Sequence, residues 1–283
     1  VVFDGVAGVE PQSETNWRYA DDGKVPRICF INKLDRTGAS FERSFNSILD
    51  RLTKNAVRIQ IPMGSEENFA GVIDLLKMKA YYFEGEMGNK VIEKEIPENL
   101  KADAEKYHAE LIEKIVEQDE AVMNEYFEGK IPDFETLKKL MRKGVIANEI
   151  FPVFAGSALK NKGVQLLLDA VVEYLPSPLE VPAIKGIDVK TGKEVERPSS
   201  SKEPFAALAF KIMTDPFVGA LTFTRIYSGE LKSGSYVYNA SKQTKERVSR
   251  LVRMHANKRE EIKEASAGDI VAVVGIKDVN TGD

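Results

Sequence analysis

The chain has 283 residues, 40 Lys and Arg against 44 Asp and Glu, a formal net charge of −4 and 43% hydrophobic residues. That length holds two or three globular domains, and the acidic balance argues against a protein that coats nucleic acid generally while leaving room for a local basic face. No apolar run reaches the ~20 residues a bilayer helix needs, and the single cysteine, Cys29, excludes an internal disulfide and favours a reducing compartment.

The first elements alternate between strand and helix. Val1–Phe3 reads as a short buried strand, Gln12–Asp21 as a helix stopped by Gly23, and Arg27–Ile31 as a second apolar strand that buries Cys29. Ser40–Lys54 carries Phe41, Phe45, Ile48, Leu49 and Leu52 at the 3.6-residue period of an amphipathic helix. Val57–Ile61 is a third strand, and the β-α-β-α-β order predicts a parallel sheet covered by helices.

Pro62-Met63-Gly64 then reads as a turn. Short strands follow at Ala70–Leu76, Lys79–Phe83 and Lys90–Glu95. Next come a charged helical stretch over Ala102–Phe127 broken near Asp119, and a helix over Phe134–Lys143 stopped by Gly144. The wealth of Lys and Glu predicts a mostly solvated insertion rather than core. The first pattern resumes with a strand at Ile150–Ala155 and a helix at Val164–Leu175, ended by Pro176-Ser177-Pro178. A linker rich in Pro, Gly and Ser leads into a β-rich half with strands at Ala207–Ile212, Ala220–Ser228, Ser235–Asn239, Glu246–Arg253 and Ile270–Ile276. Short strands with glycine turns predict a small barrel or sandwich.

Two loops carry chemistry. Asn32-Lys33-Leu34-Asp35 follows the second strand, at the sheet edge where ligands of open α/β folds bind. A carboxylate at Asp35 can accept from both N1–H and the exocyclic amine of guanine. Adenine lacks that donor pair and would leave the carboxylate unpaired, at about 1–3 kcal/mol. The Lys33 stem can lie along the base, and Asn32 can tie neighbouring loops. Gly156-Ser157-Ala158-Leu159 sits at the end of the Ile150–Ala155 strand, where a backbone N–H can donate to guanine O6 and small side chains allow close approach. Read alone, the second loop is equally an ordinary turn with Ser157 as a helix cap; the pair, in this order, is much more specific.

With both motifs in hand, the chain resembles the elongation factor G family of translocation GTPases. The likeness rests on Val2–Thr15, Phe30–Arg36, Gly71–Leu75, Phe154–Asn161, Phe210–Ile212, Arg253–Asn257 and Ala267–Asp269, and runs over essentially the whole chain. It implies a partial P-loop GTPase domain of α/β type with a parallel sheet, carrying an α+β insertion, followed by a Greek-key β-barrel. The expected boundaries are 1–62 and 150–182 for the GTPase part, 63–149 for the insertion, 183–204 for a linker, and 205–283 for a barrel whose completeness is left open. The long insertion favours this family over other translational GTPases. The resemblance implies guanine recognition by Asn32, Lys33, Asp35, Ser157, Ala158 and Leu159, with GTP or GDP as ligand, the ribosome as partner, no membrane, and a cytoplasmic location.

The sequence also departs from the family. No G-x-x-x-x-G-K-[ST] loop occurs, nor the switch segment that holds Mg²⁺, nor a D-x-x-G-H. Asp35-Arg36-Thr37-Gly38 spells D-x-x-G only by overlap with the base motif. The expectation is an internal fragment with no catalytic residue, no metal site and no GTP hydrolysis of its own. The basic stretch containing Lys242, Lys245, Arg247, Arg250 and Arg253 reads either as a solvated strand face or, by the resemblance, as a local contact with ribosomal RNA phosphates. Two alternatives stay open: a ribosome-binding module that never needs nucleotide, and a related release-factor or ribosomal-protection GTPase.

Overall fold

The computed structural model describes residues 1–189, 191–215, 219–255 and 258–283; Ala256 and Asn257, part of the resemblance above, lie outside them. The chain divides into two compact units, Val1–Leu175 and Pro176–Asp283. No helix among the described residues is long and apolar enough to cross a membrane.

The first unit is built on four parallel strands, β1 (Val2–Asp4), β2 (Cys29–Asn32), β3 (Ala56–Arg58) and, later in the chain, Phe151–Ala155, in the order β1, β2, Phe151–Ala155, β3. Alternation along β2 buries both faces. Ile28 and Phe30 enter one core, Cys29 and Ile31 the other. Burial pushes the Cys29 thiol up to about 12, so it is an inert packing group. On the Cys29 side lie α1 (Pro11–Asp22), through Trp17, and α2 (Phe41–Arg51), through Phe41, Phe45 and Ile48. The Ser40 hydroxyl caps α2 by accepting the Arg43 N–H at 3.2 Å. Arg27, 5% exposed, lies against the rings of Trp17 and Phe151 at 4.3 and 4.8 Å and donates to Trp17 O at 3.0 Å, fastening α1 to the sheet.

The expected strand Val57–Ile61 divides at Ile59. β3 stays in the parallel sheet, whereas β4 (Gln60–Met63) starts an antiparallel meander with β5 (Gly71–Asp74), β6 (Lys79–Glu84) and β7 (Lys90–Lys94). Pro62 and Met63 therefore extend a strand rather than form the turn. β4 is the edge of its sheet, where a missing N–H is tolerated, and the turn falls to Gly64 at φ +78°. Helices α3 (Glu98–Val116), α4 (Glu120–Phe127) and α5 (Phe134–Ile146) follow. Asp119 caps α4 by accepting the N–H groups of Ala121 and Val122, which accounts for the expected break.

Two expectations for this block are corrected. It is not mostly solvated: Ala104, Leu111, Ile112, Ile115, Leu140 and Met141 are buried with Ile28, Phe30 and Phe154 of the parallel sheet in one core. The charged residues cover only the outer faces of helices whose inner stripes are apolar. Gly144 does not stop α5 either; it lies inside the helix, where an added Cβ would come within 2.7 Å of Ile150 Cδ1. The strand Phe151–Ala155, hereafter β8, leads to α6 (Val164–Tyr174), whose N-cap is Gly163 and not Ser157.

In the second unit the 183–204 segment is not an open linker. It contains an antiparallel hairpin, β9 (Ile184–Ile187) with β10 (Glu194–Arg197). The rest is β-rich: β11 (Ala206–Asp215), β12 (Gly219–Ser228), β13 (Glu230–Lys232), β14 (Tyr236–Asn239), β15 (Thr244–Arg247), β16 (Arg250–His255), β17 (Lys258–Ile262), β18 (Glu264–Ser266) and β19 (Ile270–Val274). Five of them form a sheet ordered β11, β12, β19, β16, β17, with β13–β18 and β14–β15 as two-stranded ribbons. The expected strand Glu246–Arg253 breaks at Val248, which is fully buried and bonds to Ser235 and Gly234, while Ser249 turns to Val274.

Candidate functional site

The carboxyl ends of β1, β2 and β8 bring three loops together. β1 and β2 are in register at Asp4 and Asn32, and β2 and β8 at Ile31 and Ala155. Gly5 N–H donates to Asn32 O at 2.8 Å, and a Cβ on Gly5 would lie 2.8 Å from that same oxygen, so glycine alone fits there. Gly156 is held likewise: its Cβ would meet Lys162 O at 2.4 Å and the Phe30 ring at 2.7 Å.

Asn32 joins the two expected base loops. Its Oδ1 accepts the N–H of Lys33 at 2.8 Å and that of Ala158 at 2.8 Å. The backbone adds a second tie, from Leu34 N–H to Gly156 O at 3.2 Å. Lys33 is held in the left-handed region at φ +63°, a conformation that costs a non-glycine residue of order 1 kcal/mol and that concentrates at working sites. Its ammonium reaches Asp4 Oδ2 at 2.7 Å. Lys33, with the N–H groups of Val6 and Ala7 on the other oxygen, holds the Asp4 carboxyl down at about 2.

Asp35 is half-buried, and among the described residues no donor reaches its carboxylate. Ser157 is fully buried and closes a bridge with Lys162 through two 2.9 Å bonds. Ala158 N–H is committed to Asn32, whereas Leu159 N–H has no partner among the described residues and its side chain is 76% exposed. The loops thus leave a carboxylate acceptor and a backbone donor available at one sheet edge, beside a lysine stem. That is the complement of a flat heterocycle with a donor pair and a carbonyl oxygen.

Sequence reasoning missed the groups that hold these loops. Glu66, from the connection between β4 and β5, donates its N–H to Leu34 O at 2.9 Å and accepts Gly38 N–H at 2.8 Å. Lys162 Nζ donates to Phe69 O in the same connection at 2.6 Å. Gln165 Nε2 donates at 3.1 Å to Gly88 O, in the turn between β6 and β7. The insertion therefore braces both loops. Only positive-φ geometry at Glu66 and Gly88 marks these positions, and that is invisible in sequence.

The basic residues of the second unit separate. Tyr236 stands opposite Arg247 and Tyr238 opposite Lys245, so the four side chains share one face of the β14–β15 ribbon. Tyr236 and Tyr238 are 58% and 55% exposed, with Lys245 Nζ 4.8 Å from the Tyr236 ring centre. Arg250 and Arg253 are exposed on β16, three residues apart and so on opposite faces. Lys242 turns instead to Asp278 and Asp283.

Residues 1–177 match the family described as elongation factor Tu GTP binding domain, and residues 219–283 match elongation factor Tu domain 2. The fold also matches the crystal structure of a protein from Thermus thermophilus, with a TM-score of 0.79 at 27% identity, over 99% of this chain and 39% of that one. The chain thus spans less than half of that protein's length. A match over 177 residues, on a parallel sheet followed by a β-barrel-like unit, is decisive: the chain belongs to the elongation factor Tu family of GTP-binding domains, the translational GTPases.

Proposed function

We propose that this chain supplies guanine recognition and ribosome docking to a translocation factor of the elongation factor G type. The Asn32–Ala158 bond carries the reading, because it sets the unpaired Asp35 carboxylate and the open Leu159 N–H on one sheet edge. In this reading Asp35 accepts from the base's N1–H and amine, Leu159 N–H (with Ala158 beside it) faces O6, Lys33 lies along the base, and Ser157 holds the second loop from below. The long insertion supports a translocation factor over its relatives. Here it is integral to the core and braces both loops.

The 283 residues contain no phosphate-binding loop, so they bind guanine nucleotide through the base alone and do not hydrolyse GTP. Titration with GDP, with and without ribosomes, tests this. Binding abolished by Asp35→Asn supports it, and binding indifferent to that change sinks it. One observation favours a second reading, nucleotide-independent docking on ribosomal RNA: the ribbon face of Tyr236, Tyr238, Lys245 and Arg247 offers cations for phosphates beside rings for bases.

A further inference from the structure

Gln60 at the start of β4 is 1% exposed. Its Oε1 accepts Ala155 N–H at 3.2 Å, which fixes the carboxamide and leaves Nε2 turned away from β8 with no partner among the described residues. Tyr174 at the end of α6 is 4% exposed, and its hydroxyl has no partner among the described residues either. Neither atom is sealed in the core: the fully buried unpaired side-chain atoms among the described residues are Arg27 Nε, Arg58 Nε, Asn148 Oδ1 and Gln165 Oε1, so Gln60 Nε2 and the Tyr174 hydroxyl are open to a ligand from outside. Both line one cleft of about 240 Å³, together with Asp74, Asp169 and Glu173 and an apolar wall that includes Ile59, Phe134 and Phe154.

The charges in the cleft are unbalanced. Asp74 Oδ1 accepts the N–H groups of Leu76 and Lys77 at 2.9 Å, but Oδ2 has no partner among the described residues. Asp169, exposed on α6, has none there either. Glu173 is engaged by Lys138 at 2.7 Å, and Arg142 donates to the Glu173 carbonyl at 2.6 Å. Lys77 also lines the cleft, and its charge acts on Asp74 against the effect of burial, but it makes no contact ion pair with either aspartate; its ammonium stands about 6 Å from the ring centres of Tyr81 and Phe134. Burial pushes the Asp74 carboxyl above the usual carboxylate range and raises the Tyr174 phenol, to which the charges of Asp74 and Glu173 add.

A cation would answer the two open carboxylates, and a carbonyl would answer Gln60 Nε2. Among the described residues no three acidic, His or Cys side chains are gathered as for a metal ion. A planar guanidinium presents several donors at once and lies well against aromatic walls. We propose that the cleft bounded by β4, β5 and α6 binds a guanidinium on an apolar stem next to a carbonyl, as in an arginyl residue, whether free or in a partner's peptide. This is independent of the guanine reading.

Calorimetric titration of the full chain with N-acetyl-arginine amide tests it. Saturable binding is expected. It should weaken roughly tenfold or more in Asp169→Asn, and also in Tyr174→Phe, since a hydrogen bond to a charged group is worth about 1.5–3 kcal/mol. Agmatine, which lacks the carbonyl, should bind more weakly than the capped arginine. A capped tripeptide with central arginine separates the sources: tighter binding than the capped residue assigns the site to a peptide, equal binding to a free small molecule. The proposal is overturned if N-acetyl-norleucine amide or N-acetyl-lysine amide binds equally well. Affinity unchanged in both variants, or no saturation, would overturn it too.

Discussion

The Ala158 N–H donates to Asn32 Oδ1 at 2.8 Å, joining residues 126 positions apart into one loop platform. The same oxygen takes Lys33 N–H, so one carboxamide orders both motifs. Asn32→Ala removes the oxygen that accepts both hydrogen bonds and is expected to cost about 1–3 kcal/mol, whereas Asn32→Asp keeps an acceptor there and costs less. Urea unfolding of the two variants gives the comparison. Equal losses would show that the oxygen is not what matters.

The Lys33–Asp4 pair makes stability depend on acid. The folded Asp4 carboxyl is held at about 2, below its ordinary 3.8. A depressed carboxyl contributes stability that is full above the unfolded value and is lost as pH falls from about 4 towards 2. Lys33→Ala should raise the folded value and flatten that part of the stability curve. Titration of the Asp4 carboxyl carbon by NMR, run beside acid unfolding, reads both; an unmoved titration would remove Lys33 as the cause.

How much of this was legible follows from particular residues. The continuous apolar run Ile28–Ile31 announced a buried strand, and Asp119 announced a break in the helical stretch, because both signals are local. The break at Ile59 was hidden, because the apolar–polar alternation Val57-Arg58-Ile59-Gln60-Ile61 continues unchanged while its partner changes from β8 to β5. The insertion's apolar stripes were visible, but not what they pack against. At the site, the two loops could be read from their residue types. Asp4, Glu66, Gly88 and Lys162 could not: Asp4 meets the Lys33 ammonium only across the β1–β2 pairing, Gly88 meets the Gln165 side chain, and Glu66 and Lys162 act on backbone groups far away in sequence.

Gly88 tests the bracing of the second loop. It stands at φ +61°, and a Cβ there would lie 2.8 Å from Lys160 O and 3.0 Å from Asn161 O. Those are backbone atoms, so the loop must move. Gly88→Ala is expected to destabilise by about 1–3 kcal/mol and to shift the amide resonances of Ser157–Lys162. Shifts confined to the turn between β6 and β7 would show that the contact transmits nothing.

On the β-rich unit the cations should divide by partner. Lys245 and Arg247 share a face with two exposed tyrosines, while Lys242 is held by Asp278. Replacing Lys245 and Arg247 together by alanine should weaken ribosome binding and lower the salt dependence, by about 0.7–0.9 in log–log slope for each phosphate no longer neutralised. Lys242→Ala should leave the slope unchanged. The reverse pattern would place the contact on the other side of the ribbon.

Gly144 sets two magnitudes against each other. Inside a helix, Gly→Ala gains about 1 kcal/mol of propensity. At this position the new Cβ would meet Ile150 Cδ1 at 2.7 Å and Gln118 Cδ at 3.0 Å, and Ile150 is 2% exposed and cannot swing outward. Overpacking a closed core costs about 1–3 kcal/mol, so the crowding outweighs the propensity and Gly144→Ala is expected to destabilise. Ile150→Ala deletes both clashing atoms, Cδ1 at 2.7 Å and Cγ1 at 2.8 Å, and in that background Gly144→Ala should cost less. A double-mutant cycle by urea unfolding measures the coupling. Additive losses would mean that Gly144 is kept for some reason other than the space Ile150 fills.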